Sequence, residues 1–173
     1  MIPITDGNFQ KIICFYLFEC PARSIRTENK KANETKTPDQ PHPTKRIYYG
    51  RISRMGKTLA ERGIEGGALN TLRAAMLRSA GKEFELLTGN DVASSSKKEY
   101  ISLSRKDFIT EGIFAFIRNA FAHGEFNVSN GWYFLENHSN GKLKGKAVLR
   151  ETTLLNWIEI VDMPLDKIKK IGR

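Results

Sequence analysis

The sequence predicts a mainly α fold, a helical bundle with a small β-hairpin inserted between one central helix and the last helices, and three observations carry that expectation. Apolar residues recur at three- and four-residue steps at Leu69, Leu72, Met76 and Leu77, and again at Ile109, Ile113, Phe116, Ile117 and Ala120, the period of helices packed on one side. Asn130-Gly131 stands between short aromatic or β-branched runs, a hairpin signal. A length of 173 residues, with 40% hydrophobic and 27% charged side chains, suits one domain over 1–173 that buries its own core.

The elements follow in order. Residues 8–20 (NFQKIICFYLFEC) hold too many apolar side chains for a solvated helix, so a largely buried helix is expected. Residues 28–44 lack large apolar side chains and carry Pro38, Pro41 and Pro43, which remove backbone donors and disfavour helix before them. They read as a polar linker, with His42 a solvated loop residue. From 45 to 87 the pattern turns helical, with Ile47, Arg51, Arg54 and Thr58 near one face, and Gly63, Gly66 and Gly67 divide it into two helices. Residues 88–98 (TGNDVASSSKK) read as a loop.

Ser104 can cap the next helix, with Asp107 facing the orphan amides three residues on, and that helix is expected over about 105–122. After Gly124 come FNV, the turn Ser129-Asn130-Gly131, WYFLE, the turn NHSNGK and LKGKAVLRE, which make a two- or three-stranded β element with His138 in a solvated turn. Thr152 or Thr153 then caps a last helix through Trp157 and Val161, and Pro164 interrupts it before a short basic tail.

The formal net charge of +9 favours contact with phosphate polyanions. The excess is uneven: residues 23–62 carry eleven Lys or Arg against four acids, so the basic character belongs chiefly to one region. Cys14 and Cys20 match neither a zinc pair nor a redox pair, and a reduced cytosol is the simplest setting. The early apolar run over 12–18 is too short to span a bilayer and lacks the frame of a signal peptide, so no membrane association is expected. There is no G-x-x-x-x-G-K-[ST] loop, no H-E-x-x-H and no Cys/His cluster, and so no cofactor or metal is expected.

Chemistry concentrates in RNAFAHG. Arg118 offers a planar, permanent cation matched to phosphate oxygens, and His123 a group that exchanges protons near neutral pH. These are the needs of metal-free RNA cleavage, in which a base takes the 2′-hydroxyl proton, an acid protects the departing 5′-oxygen and the developing charge is stabilised. Asn119 and His123, four apart, share a helix face. Arg118 and His123, five apart, diverge by about 140°. Asp107, Glu111 and Arg118 instead share a charged face opposite the apolar stripe, as in any surface helix. A site using all three motif residues therefore needs a loosened helix end or a second copy across a two-fold dimer, and the dimer is favoured.

RNAFAHG, at the end of an apolar helix and with Asn119 after Arg118, resembles the R-x4-H signature of the HEPN domain family, and the likeness runs from about 104 to 157, through FIRNAFAHGEF, the hairpin and TLLNWIEI, where it looks like a plasmid- and defence-associated subfamily. The resemblance implies an α-helical bundle, homodimerisation that brings two motifs together, and metal-independent endoribonuclease action in toxin–antitoxin or phage-defence systems, in the cytoplasm and with an antitoxin or other defence protein as a possible partner. It assigns Arg118, Asn119 and His123 as catalytic and Glu111 as an assisting acid. The competing expectations are an inactive HEPN module that holds RNA, a nucleotide or a partner, and a regulatory subunit held by protein contacts alone. Lys142, Lys144 and Lys146 alternate on a strand near Trp132 and Tyr133, fitting either RNA contact or a lysine-protected edge strand.

Overall fold

A computed structural model describes residues 6–20, 23–26, 45–48, 59, 62–89, 94–104 and 110–173. Its elements are α1 (Asp6–Cys14, continued as a π-helical turn over Phe15–Glu19), β1 (Arg23–Arg26), β2 (Lys45–Tyr48), α2 (Gly67–Ala80), β3 (Phe84–Gly89), β4 (Glu99–Ser104), α3 (Thr110–Ala122), β5 (Phe126–Ser129), β6 (Trp132–Ser139), β7 (Lys142–Arg150), α4 (Glu151–Asp162) and α5 (Leu165–Ile171). The strands β3 to β7 form one mixed sheet in the order β3-β4-β7-β6-β5, parallel between β3 and β4 and antiparallel elsewhere. The fold is therefore α/β, and the expected mainly α bundle with a small hairpin is overturned.

The physical reason lies in β3 and β4. Both fall where periodicity suggested a helix end, a loop and a helix cap. In β4 (EYISLS) every residue from Glu99 to Leu103 is buried, so no polar alternation marks it as a strand. A buried acid disguises it further: the Glu99 carboxylate accepts from the Arg150 amide at 2.8 Å and from the Thr153 hydroxyl at 2.7 Å, which satisfies its charge inside the protein. The same bond corrects another expectation. Thr153 spends its hydroxyl on Glu99, neither Thr152 nor Thr153 caps α4, and Arg150 stands at the cap position with extended backbone.

The hairpin signals were real but belong to this sheet. Asn130-Gly131 and Asn140-Gly141 each hold two successive positive φ values (51° and 77°, 53° and 72°), the left-handed pair that a two-residue hairpin turn requires. β6 and β7 then alternate, with Tyr133, Leu135, Ala147 and Leu149 buried on the face that the helices cover. On this face Phe84 meets Trp157 edge-on at 5.9 Å and Phe121 meets Tyr133 at 6.3 Å. Gly145 sits where β7 approaches α3: a Cβ there would lie 2.6 Å from the Phe116 ring and 2.9 Å from Leu103.

α1 is the expected N-terminal helix, with Ile12, Phe15, Tyr16 and Cys20 buried. Its π-helical turn turns the neighbours Phe15 and Tyr16 both inward, and the Tyr16 hydroxyl donates to the Leu154 carbonyl at 3.0 Å. Lys45–Tyr48, expected in a helix, pairs instead with β1 as an antiparallel ribbon. The second helix of that stretch is α2, which begins at Gly67 and buries Leu72, Ala75 and Met76. Arg62 donates to the Val161 and Met163 carbonyls, occupying acceptors that the end of α4 leaves open. Beyond Pro164 the short basic tail forms a helix of its own, α5. The linker expected at 28–44, with His42, lies outside the described residues, as do Arg51, Arg54, Thr58 and residues 90–93 of the loop expected at 88–98.

Candidate functional site

The motif helix α3 is anchored at both ends. At its start the buried Thr110 hydroxyl donates to the Leu69 carbonyl of α2 at 2.7 Å. Along its length Ile113, Phe114, Phe116, Ile117, Ala120 and Phe121 are buried, a broader face than the predicted stripe, because the π-helical turn of α1 packs on the side opposite the sheet. Residues 105–109, with Asp107, lie outside the described residues. So does the side chain of Glu111, whose backbone stands in the first turn of α3.

The helix ends in a complete cap. The His123 amide donates to Asn119 O at 2.9 Å, so α-helical geometry holds through the motif. Gly124, at φ +70°, then reverses the chain, its amide donating to Phe121 O at 3.2 Å and the Glu125 amide to Ala120 O at 2.9 Å. This pair of bonds is the Schellman arrangement, and it places His123 at the last half-helical position with an exposed side chain. A loosened helix end is thereby removed from the two ways of completing the site.

Arg118 and Asn119 are half-buried, and Arg118 Nη1 donates to Asn119 Oδ1 at 3.4 Å. The expected position of Arg118 wholly away from the core is corrected to partial burial. Asn119 and His123 stand one turn apart on the same side of α3, whereas the regular helix keeps Arg118 and His123 on diverging sides. One copy of the chain brings together Arg118 with Asn119, and Asn119 with the turn carrying His123.

Sequence reasoning missed a second imidazole beside this helix end. Glu125, two residues after His123, extends the β5 edge: its carbonyl accepts from the Glu136 amide at 2.9 Å, and its carboxylate accepts from the His138 amide at 2.8 Å. The His138 ring lies between two carboxylates, Nδ1 at 3.5 Å from Glu125 and Nε2 at 3.8 Å from Glu136. His138 therefore belongs to β6 rather than to the turn, and its side chain is exposed as expected. The signal was countable: strands paired outward from Asn130-Gly131 set Phe126 against Leu135, and one further step sets Glu125 beside Glu136.

A basic strand also comes near. β1, which contains Arg23 and Arg26, runs against α3, so part of the cation-rich region 23–62 adjoins the motif helix. Among the described residues no three His, Cys, Asp or Glu side chains converge as a metal site, and no helix is long and apolar enough to cross a membrane. No family model, curated protein or solved structure matches this chain, and the reading of its site rests on its own residues.

Proposed function

We propose that this chain is a metal-independent endoribonuclease that acts on RNA as a homodimer, in the manner of the HEPN-type toxins and defence effectors that its RNAFAHG segment resembles. The observation that carries the reading is the exposed His123 at the capped end of α3, one turn beyond Asn119 and two residues before the Glu125–His138 pair.

In the proposed reaction an imidazole removes the ribose 2′-hydroxyl proton, the 2′-oxygen bonds to the adjacent phosphorus, and the P–O5′ bond breaks as the leaving oxygen takes a proton from a second acid. His123 takes the first role. The second falls to His123 of the other copy or to His138, which Glu125 holds beside the helix end. Arg118, reaching the cleft from the opposite copy, stabilises the charge on the phosphoryl oxygens. Asn119 orients the phosphate or the hydroxyl, and Glu111 serves as the assisting acid. No fixed ion is needed in this scheme, because the proton acceptor, the proton donor and the charge stabiliser are all side chains.

The test is RNA incubated with purified protein in EDTA. Cleavage should leave 2′,3′-cyclic phosphate or its hydrolysis product, and His123→Ala should lower the rate by at least about 100-fold. Activity that survives that substitution, or that requires an added divalent ion, removes the mechanism. Induction in a bacterial host should arrest growth with the parent chain and not with His123→Ala.

A further inference from the structure

We propose that the outward face of β6 and β7 is a stacking platform for a single-stranded nucleic acid. The register pairs Trp132 with Arg150, Phe134 with Val148 and Glu136 with Lys146, so these six side chains share the sheet face turned away from the helices, while the alternating Tyr133, Leu135, Ala147 and Leu149 fill the core. Phe134 is 44% exposed, and Trp132 and Val148 are partly buried. Tyr100 and Ser102 of β4 are covered on this same face, whereas its β6–β7 part leaves a Phe exposed between a Trp and a Val, and exposed apolar surface of this kind marks a binding site.

The charges around these rings select the occupant. Arg150 lies over Trp132, 5.1 Å from the ring centroid, and Lys146 stands beside Phe134 and Val148 in the next row. Lys142 and Lys144 are exposed at the far end of β7. Three acids touch this face: Glu136, opposite Lys146, Glu125, which the same register sets beside Glu136, and Glu99, 3.6 Å from Arg150 at its margin. Cations therefore outnumber acids around the rings, which suits a phosphate backbone with bases laid on the aromatics. The rings of Trp132 and Phe134 are about 6.6 Å apart along the strand. That is roughly twice the ~3.4 Å rise of a stacked strand, which splayed bases can span, whereas the paired bases of a duplex stack on one another and present no free face to these rings.

The platform extends the ribonuclease reading, since it would hold the substrate near the α3 end, but it depends on that reading only for the choice of RNA. The test uses the His123→Ala chain, so that binding is measured without turnover, with short labelled oligouridine and oligothymidine as probes. Tryptophan emission should be quenched by either probe, because Trp132 is accessible while Trp157 is fully buried, and Trp132→Ala should abolish the quench. Trp132→Ala and Phe134→Ala should each weaken binding about fivefold or more. Phe18→Ala, which removes a ring 70% exposed elsewhere on the molecule, should leave binding unchanged. Affinities within about twofold of the parent in both platform variants, or equal affinity for duplex RNA of the same length, overturn the proposal. RNA cleavage by the parent alongside unaltered binding in those variants keeps the nuclease and removes the platform; platform-dependent binding without any cleavage does the reverse.

Discussion

Under the proposed ribonuclease reading, the chemistry at the end of α3 narrows to two imidazoles with different surroundings. His123 projects from a closed cap, and His138 is held between Glu125 and Glu136. If His138 donates the leaving-group proton, His138→Gln should lower kcat by roughly 100-fold with RNA affinity kept within about twofold. An unchanged kcat returns the donor role to a second copy of His123. Two tyrosines give the molecule a separate pH dependence. Burial raises Tyr16 well above the ordinary 10.0, with Cys20 adding to the shift, and burial raises Tyr133 likewise, reinforced by the charge and hydrogen bond of Glu151. The folded chain keeps these protons where the unfolded chain releases them, so the stability they supply is intact below about pH 10 and is lost as pH rises toward the folded values. Urea midpoints should fall between about pH 9 and pH 11, and Tyr133→Phe should flatten part of that fall.

Gly145 ties the motif helix to the sheet. Because the Phe116 ring occupies the space of its missing Cβ, Gly145→Ala should cost about 1–3 kcal/mol and lower Tm by roughly 3–10 °C in a thermal melt, with α3 shifted relative to β7. A Tm within about a degree of the parent would mean that Phe116 yields freely. The helix α3 and the two Asn-Gly hairpins were legible because each rests on local chemistry: a 3.6-residue apolar period, and residues that accept positive φ. β3 and β4 were not. Their partners stand some distance along the chain, β4 is buried on both faces, and Glu99 reads as a surface residue until its two donors are known. The site divides in the same way. The motif residues were visible as types at a spacing, whereas the Glu125–His138 pair depends on strand register, and the partial burial of Arg118 on packing around α3.

For the molecule as a whole, the regular helix end leaves a second copy as the route by which Arg118 and His123 can meet. Arg118→Ala and His123→Ala chains, each inactive alone, should regain activity when unfolded together and refolded as a mixture, since about half of the dimers then pair one of each and keep one Arg and one His in the cleft. This holds where His138 is the acid, so failure of the mixture to exceed either variant, in a protein that His138→Gln inactivates, would remove the shared site. The connection between the chain's ends has a different consequence. Asn8 of α1 donates at 2.8 Å to Glu151, 143 residues away, and Tyr16 to Leu154, 138 residues away, while β4 pairs with β7 across most of the second half of the chain. Contacts this remote in sequence close slowly. On the ribosome, α1 emerges long before the α4 surface on which it rests, and α3 before the β6–β7 hairpin that supports its end, so the nascent chain carries both helices before their packing partners exist. Packing of the α1 and α3 surfaces is then timed by translation of β6, β7 and α4.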